Sequence, residues 1–183
     1  MEASAKTRPH VVVIGGGFAG LEFAKGLKNK AFDVTLVDKH NYHTFQPLLY
    51  QVATGGLEPD SIAYPLRKVF RKTKNVFVRW ATVKHIDTET QVLSTDLCDM
   101  HYDYLVIATG STGRYFNFEG IKDKMLTLKT VPDALNLRSY ILQNFEKAIA
   151  EKNPEYLEEL MNIAIVGGGP TGLELAGAIG EMK

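Results

Sequence analysis

The 183-residue chain is 45% hydrophobic and 23% charged, and its 21 Lys and Arg residues balance 21 Asp and Glu residues. This length suffices for one well-buried domain and part of another, and the zero net charge argues against nucleic acid as a partner. The single cysteine, Cys98, excludes an intrachain disulfide framework and the paired redox cysteines of a flavin disulfide reductase. No apolar run approaches the roughly 20 residues that cross a bilayer, and no export signal is evident, so we expect a cytoplasmic location.

The chain opens with a predicted strand, glycine-rich turn, helix and second strand. The β-branched run 11–14 is typical of a strand buried on both faces of a parallel sheet. Three glycines follow, and apolar residues then recur at helical spacing from Phe18 to Lys28. Residues 33–37 predict the next strand, which ends at Asp38.

The middle of the chain is less regular. Proline and glycine punctuate residues 41–71, where we expect short helices near 48–53 and 62–70 in a segment that passes over a ligand. Alternation from Val76 to Thr95 predicts a β-hairpin or meander with its turn at residues 87–90.

Two further buried strands and a long helix are predicted after the meander. The strands are residues 105–108 and 163–166, both apolar and rich in β-branched residues. The helix begins at Pro132 and continues to about Lys152. Its expected apolar face consists of Leu135, Leu142, Phe145 and Ile149.

The first glycine turn has the pattern of a dinucleotide-binding motif, G-x-G-x-x-G. Gly15 permits the tight turn, Gly17 lets the backbone approach a pyrophosphate, and Gly20 allows close packing of helix on strand. The helix N-terminus offers N–H groups and a positive dipole end to the diphosphate. The predicted binding residues of this turn are Gly15, Gly17, Phe18, Ala19 and Gly20. Asp38 would accept hydrogen bonds from ribose hydroxyls, but the motif alone does not separate FAD from NAD.

A second segment of the sequence distinguishes FAD from NAD as the bound dinucleotide. Residues 102–110, Y-D-Y-L-V-I-A-T-G, resemble the strand that returns the chain to FAD in flavoproteins with two dinucleotide-binding motifs. In those proteins the second motif, here Gly167, Gly169 and Gly172, holds NAD(P)H. The implied fold class is α/β: a Rossmann-like FAD-binding domain with a parallel sheet and a β-meander, followed by the start of a second Rossmann NAD(P)H-binding domain.

Within that superfamily the chain resembles the type II NADH dehydrogenases, which are single-subunit NADH:quinone oxidoreductases. Residues 41–55 resemble the family's N-x-x-x-F-x-P-L-L-x-x-V-A-x-G segment near the flavin, and residues 172–177 resemble its G-x-E-h-x-G helix start. The resemblance covers essentially the whole chain. It implies the N-terminal part of a longer protein, whose remaining NADH domain, quinone site and C-terminal membrane-binding helices lie elsewhere.

Several cofactor contacts are implied by this resemblance. Those to the adenosine diphosphate half of FAD come from Asp38, Lys39, Ala81, Val83, Ala108, Thr109 and Gly110. Those in the segment approaching the isoalloxazine come from Gln46, Pro47 and Leu48. Glu174 would lie between nicotinamide and flavin as the catalytic residue. The plainer alternative is a solvated carboxylate that the helix dipole favours.

The implied activity is hydride transfer from NADH to FAD, followed by two-electron reduction of a membrane quinone. The longer protein would lie on the inner face of the cell membrane. One alternative is another pyridine nucleotide-dependent flavin reductase, of the ferredoxin- or rubredoxin-reductase kind. Another is a non-catalytic FAD-binding domain. A sulfide:quinone reductase would need catalytic cysteines, for which Cys98 is poorly placed.

The predicted domains are residues 9–115 for the first half of the FAD-binding domain, 116–160 for a connecting segment, and 161–183 for the start of the NADH-binding domain. Because strand 163–166 lacks the later strands of its own sheet, we expect residues 160–183 to be disordered or to self-associate as a homo-oligomer. We expect no NADH:quinone activity from the chain alone.

Other polar residues favour ordinary roles. The five histidines (His10, His40, His43, His85 and His101) show no metal-ligand spacing, so we predict surface or loop positions and no metal site. Cys98 is interpreted as structural. The pairs at 67–68 and 71–72 predict a solvated basic helix face, with a flavin-phosphate or membrane-surface role as the alternative.

Overall fold

The structure is a computed structural model that describes residues 8–113, 120 and 124–182. The chain forms two compact units, one of residues 1–43 and 64–111 and the other of residues 44–63 and 112–183. The predicted domain boundary after residue 115 lies outside the described residues, as do residues 1–7 of the segment in which no export signal is evident. The domain boundaries drawn from the motifs stay predictions.

The elements follow one another as β1 (His10–Ile14), α1 (Phe18–Gly26), β2 (Asp33–Asp38), β3 (Tyr42–Thr44), α2 (Leu49–Ala53), β4 (Ala63–Pro65), α3 (Leu66–Phe70), β5 (Val76–Trp80), β6 (Val83–Asp87), β7 (Val92–Thr95), β8 (Asp99–His101), β9 (Tyr104–Ile107), α4 (Val131–Ala150), α5 (Pro154–Met161) and α6 (Pro170–Met182). Single 3₁₀ turns precede α2 and β4. The opening strand, helix and strand agree with the prediction. The helix expected near residues 62–70 begins only at Leu66, because residues 63–65 form β4, which pairs with β3.

A parallel sheet in the order β5-β2-β1-β9 forms the base of the first unit. Val12 in β1 lies opposite Thr35 in β2 on one side and opposite Leu105 in β9 on the other. The strand order therefore reverses at β1. In open parallel sheets, ligands bind at such a switch point, beside the carboxyl ends of the strands.

Successive residues of β1 face opposite layers of the first unit. Val11 and Val13 are buried with Leu21 of α1 and Leu66 of α3. On the other face the meander β6-β7-β8 covers the sheet, and its Leu93 is buried in the same cluster as residues 12 and 14 of β1. The continuous apolar run of β1 is explained by this cover on both faces.

Two strand predictions in the first unit need correction. Val76–Trp80 does not belong to the meander but pairs in parallel with β2, with Val34 opposite Val76. Its alternation fits the sheet because Val76 and Val78 face the helical layer. The predicted buried strand at 105–108 is the edge strand β9, and Ile107 is 64% exposed since no described residue pairs with the outer side of β9.

The second unit is a helical cluster. Residues of α2 pack against α4 and α6 around buried Leu49, Ala134 and Ile179. A capping box fixes the start of α4, where the Thr130 hydroxyl accepts the Asp133 N–H and the Asp133 carboxylate accepts the Thr130 N–H.

The apolar face predicted for α4 is largely wrong. The buried residues are Ala134, Leu137 and Ile141, and Phe145 packs beside them. In contrast, the other three residues expected there are exposed, by 38% at Leu135, 44% at Leu142 and 81% at Ile149. The packed stripe repeats every three or four residues and includes a small alanine, which allows α2 to approach closely.

Residues 163–166 are also not the predicted buried strand. The segment has no strand pairing among the described residues, and Val166 is 64% exposed. A parallel strand is stabilised by neighbours on its edges, and no described segment supplies them. No helix in the described part of the chain has the length and apolar character to cross a membrane.

Candidate dinucleotide-binding site

The turn after β1 and the start of α1 are so closely packed that a side chain on two of the motif's glycines would collide with backbone atoms. Gly15 has a φ of +106°, and a Cβ there would collide with the Ala108 carbonyl. A Cβ on Gly20 would collide with the Gly15 carbonyl, so α1 lies directly against the turn. The fold itself therefore requires both glycines.

Gly17 differs from these two. Its φ of −69° suits any residue, and a Cβ there would meet no atom of the described residues within 4 Å. Gly17 is the N-cap of α1, where the N–H groups of a helix lack partners within the helix and favour anions. Packing among the described residues gives no reason for a glycine at this position, whereas the close approach of a diphosphate would.

Asp38 holds the turn from the end of β2. One carboxylate oxygen accepts the Gly16 N–H, and the other accepts the His40 N–H at 2.6 Å. A carboxylate oxygen can accept more than one hydrogen bond, so both oxygens retain capacity for ribose hydroxyls. The side chain of the neighbouring Lys39 is exposed. The backbone carbonyl of Lys39 accepts the Trp80 indole N–H at 2.8 Å.

The chain that follows β9 runs beside the same turn. The Ala108 N–H donates to the Ile14 carbonyl at 2.8 Å, which extends the parallel ladder past the end of β9. Gly110 has a φ of +71°, a conformation that glycine adopts without strain. Ala108, Thr109 and Gly110 thus follow the strand adjacent to Gly15, and their contact with a diphosphate stays a prediction.

The predicted adenine contacts lie at the start of the meander. Ala81 is 7% exposed, and its N–H donates to the Asp38 carbonyl at 3.0 Å. Val83 begins β6, opposite Thr95. An adenine that met the Ala81 N–H would share a hydrogen already bonded within the protein, so the carbonyl of Ala81 is the better candidate for this predicted contact.

The residues predicted near the isoalloxazine belong to the other compact unit. Gln46, Pro47 and Leu48 form a single 3₁₀ turn before α2, in which the Leu48 N–H donates to the Phe45 carbonyl at 3.2 Å. Their approach to a flavin stays a prediction.

The second glycine motif repeats the geometry of the first. Gly167 has a φ of +119°, and a Cβ on Gly172 would collide with the Gly167 carbonyl, as one on Gly20 would with Gly15. Like Gly17 in the first motif, Gly169 has no atom of the described residues within 4 Å of a Cβ position. The same backbone turn is thus formed twice in one chain.

Glu174 is exposed and lies in the second turn of α6, which begins at Pro170. The sequence suggested a position at the helix start instead. Because the helix dipole acts mainly over the first turn, its attraction for a carboxylate gives little reason for an acidic residue at this position. The role beside the nicotinamide stays a prediction.

The sequence missed the part that two histidines play in the first unit. The Nδ1 of His10 is 2.7 Å from the His101 carbonyl and its Nε2 is 2.9 Å from the Thr35 hydroxyl. The Nδ1 of His43 is 2.9 Å from the carbonyl of Gly16. Both histidines lie in strands and are half-buried, so the prediction of surface or loop positions is wrong for them. The sequence offered one indication of a role for His43, its position within the segment 41–55 that resembles the family's segment near the flavin.

The other polar residues that the sequence singles out are the possible metal ligands, Cys98 and two basic pairs. Within residues 8–113, 120 and 124–182, no three His, Cys, Asp or Glu side chains are grouped so as to hold a metal ion. Cys98 is exposed, and its N–H donates to the Thr95 hydroxyl at 3.0 Å. The residues of the basic pairs at 67–68 and 71–72 are exposed, and the Lys68 ammonium lies 5.3 Å from the centre of the Tyr64 ring.

Known proteins share this arrangement. A family profile described as pyridine nucleotide-disulphide oxidoreductase matches residues 9–183. The chain is 41% identical, over 98% of its length, to the type II NADH:quinone oxidoreductase Ndh of Mycobacterium tuberculosis, of which it covers 40%. It is 36% identical, over 91% of its length, to an external alternative NAD(P)H-ubiquinone oxidoreductase, B2, of Arabidopsis mitochondria, of which it covers 31%.

A solved structure agrees with these relatives. NDH2 of Plasmodium falciparum in complex with NADH superimposes with a TM-score of 0.86 at 27% identity, covering 93% of this chain and 36% of the other. The chain thus spans about two fifths or less of the length of the proteins it matches. It belongs to the pyridine nucleotide-disulphide oxidoreductase family, and over nearly its whole length it is similar to the type II NADH:quinone oxidoreductases.

Proposed function

We propose that this chain is the FAD-binding portion of a type II NADH:quinone oxidoreductase. The observation that carries the proposal is the contrast among the glycines of the first turn. Gly15 and Gly20 are required by the fold, whereas a Cβ on Gly17, at the N-terminus of α1, would meet no atom of the described residues within 4 Å. A dinucleotide diphosphate would explain the glycine at position 17. The activity of the relatives indicates the reaction in which that dinucleotide would take part.

In this proposal the chain's own residues bind and orient FAD. The N–H groups of Gly17, Phe18 and Ala19 would hold the diphosphate, aided by the positive end of the α1 dipole. Asp38 would accept hydrogen bonds from the ribose hydroxyls. The remaining FAD contacts would come from Lys39, Gln46, Pro47, Leu48, Ala81, Val83, Ala108, Thr109 and Gly110. When bound, FAD would accept a hydride from NADH and pass two electrons to a quinone.

The second glycine motif would serve NADH. Gly167, Gly169 and Gly172 would hold its diphosphate, and Glu174 would lie on the nicotinamide side. Residues 9–115 would then form the first half of the FAD-binding domain, residues 116–160 would connect, and residues 161–183 would begin the NADH-binding domain. The repeated turn geometry supports two dinucleotide sites of one kind.

The proposal extends to the location and partners of the protein. Its partners are NADH and a membrane quinone, and a longer protein containing this chain would lie in the cytoplasm on the inner face of the cell membrane. Its contact with the membrane would come from a part outside this chain. The exposed residues Val166 and Leu173 support self-association through residues 160–183 when the chain is on its own.

The test compares Gly17→Val with Gly26→Val, at opposite ends of α1. Neither Cβ would meet an atom of the described residues within 4 Å, so both variants should fold. Gly17→Val should lose at least about tenfold in FAD affinity because its side chain fills the space for the diphosphate, while Gly26→Val should bind like the parent. Flavin absorbance after desalting and fluorescence titration measure this.

Asp38→Ala is a second arm of the same test. It should also weaken FAD binding, although it additionally loosens the turn at Gly16. If a folded Gly17→Val bound FAD as tightly as the parent, the site assignment would be wrong.

A further inference from the structure

His43 contacts the first glycine turn from outside the motif. Its Nδ1 lies 2.9 Å from the Gly16 carbonyl oxygen, and its ring meets the Phe18 ring edge-to-face, with the centres 5.0 Å apart. A carbonyl oxygen only accepts hydrogen bonds, so Nδ1 must carry a proton and donate it. All three residues belong to the first compact unit.

This hydrogen bond orients the Gly17 N–H as well as the Gly16 carbonyl that accepts it. The Gly16 carbonyl and the Gly17 N–H belong to one planar peptide group, and no described peptide bond is cis. In a trans peptide the two groups point in opposite directions. When His43 holds the carbonyl on one side, the Gly17 N–H is directed to the other.

The preceding peptide group is fixed as well. The Asp38 carboxylate accepts the Gly16 N–H, so Asp38 and His43 hold the two sides of Gly16. Glycine has more backbone freedom to lose than any other residue, and a run of three glycines carries no side chains with which to limit it. Two side chains from outside the turn restrict the backbone instead.

We propose that His43 is a positioning residue for the dinucleotide diphosphate, which acts by orienting the Gly17 N–H through the Gly16 carbonyl. The inference rests on the proposed FAD site and adds a residue to it. Donation to the carbonyl also polarises the peptide group, which strengthens the Gly17 N–H as a donor. The contact with Phe18, the first residue of α1, keeps the imidazole in place beside the helix start.

The experiment measures ADP and FAD affinities of the 183-residue chain by fluorescence titration and calorimetry. His43→Leu keeps the bulk of the side chain and removes the donor, whereas His43→Asn places an amide N–H near the position of Nδ1. His85→Leu is the control, because His85 lies exposed in the meander. ADP contains the diphosphate but no isoalloxazine, so it separates a diphosphate effect from a flavin effect.

His43→Leu should weaken binding of ADP and of FAD by about the same factor, roughly tenfold for one hydrogen bond. His43→Asn should recover to within about threefold of the parent, and His85→Leu should match it. A folded His43→Leu that binds ADP like the parent overturns the inference. Weakening for FAD alone, or a folded His43→Asn as weak as His43→Leu, also overturns it.

A measurement on the parent keeps the inference testable if the variants fail to fold. Long-range proton–nitrogen correlation spectra of ¹⁵N-histidine-labelled chain should show the His43 proton on Nδ1, with and without ADP. A neutral ring protonated only on Nε2 overturns the inference. A parent that binds neither ADP nor FAD overturns the proposed function together with the inference, whereas tight binding by both parent and His43→Leu overturns the inference alone.

Discussion

Single side chains that hydrogen-bond to distant backbone groups organise the first unit. Asn75 is 1% exposed, and its Oδ1 accepts the Asn29 N–H at 2.9 Å. Its Nδ2 donates to the carbonyls of Leu27 and Phe32, both at 2.9 Å. One side chain therefore closes the connection between α1 and β2, in which Asn29 has a φ of +58°. Buried polar groups of this kind are stabilising only while every partner is present.

Asn75→Ala should lower the free energy of unfolding by about 3 kcal/mol, because several buried backbone groups lose their partner together. Urea denaturation measures the change. Asn136→Ala, at an exposed position on α4, serves as the matched control and should stay within about 0.5 kcal/mol of the parent. A loss below about 1 kcal/mol at Asn75 would show that water replaces these bonds at little cost.

At the scale of elements, the contact between α1 and the preceding turn leaves no space for a side chain at Gly20. Gly20→Ala should destabilise the protein by about 1–3 kcal/mol, because the added methyl group meets the Gly15 carbonyl, a backbone group with little freedom to move. Gly26→Ala on the same helix should be neutral or stabilising by up to about 1 kcal/mol. Thermal and urea midpoints test the pair, and equal effects of the two substitutions would contradict the packing argument.

The turn between β6 and β7 gives a dependence on pH. The backbone N–H and the side chain of Thr90 lower the pKa of Asp87 from its ordinary value, with a smaller contribution from the Glu89 N–H. A carboxyl whose pKa is lower in the folded state than in the unfolded state stabilises fully above its unfolded pKa of about 3.9. That stabilisation is lost as the pH falls through the lower, folded pKa.

Asp87→Asn should therefore be less stable than the parent at pH 7, and the difference should shrink as the pH falls below about 4. The effect should be small because the carboxyl is exposed to solvent. Urea midpoints at several pH values measure it, with Asp99→Asn in β8 as the control. A difference that grows towards low pH would contradict the sign of the pKa shift.

Sequence patterns predicted the elements whose signals are local. The β-branched run of β1, the spaced glycines and the acid at Asp38 specify the opening unit together, since each is tied to backbone geometry. The patterns failed where the burial of a segment depends on which strands pair with it. Residues 105–108 and 163–166 have the composition of buried strands. Among the described residues, however, no strand pairs with the outer side of β9 or with either side of the second segment.

The candidate site divides in the same way. Gly15, Gly17, Gly20 and Asp38 follow from spacing along the sequence. His43 does not, because it bonds to a backbone group 27 residues away, and the role of Asn75, outside the site, is unmarked for the same reason. Nothing in the local sequence marks which carbonyl or N–H group such a side chain will meet.

At the scale of the whole molecule, the first glycine turn lies beside a sheet, whereas no strand among the described residues pairs next to the second turn, which repeats the geometry. A Cβ on Gly15 would collide with the Ala108 carbonyl, whereas one on Gly167 would meet no described atom within 4 Å. Both turns therefore share the positive φ of the first glycine and the close approach of the last glycine to its carbonyl, with or without a described strand beside them.

In a longer protein that contains this chain, Glu174→Gln should lower NADH:quinone turnover by about tenfold or more. It should leave the flavin content unchanged, because Glu174 follows the second glycine motif, whereas the proposed FAD site is at the first. Glu181→Gln, on the same helix, is the control. Loss of flavin from Glu174→Gln, or turnover equal to that of the control, would contradict the assignment to the nicotinamide side.

The central position of β1 leads us to expect a definite order of assembly for the first unit. Its partner β2 follows after a single helix, whereas the His10 N–H reaches the Asp103 carboxylate across 93 residues. Closing the longer loop costs more chain entropy, so we expect β9 to dock last. Because Ala108, Thr109 and Gly110 follow β9, a dinucleotide that binds them would favour this final step. The cofactor would then act as a late folding ligand, and amide hydrogens of β9 should exchange more slowly once it is bound.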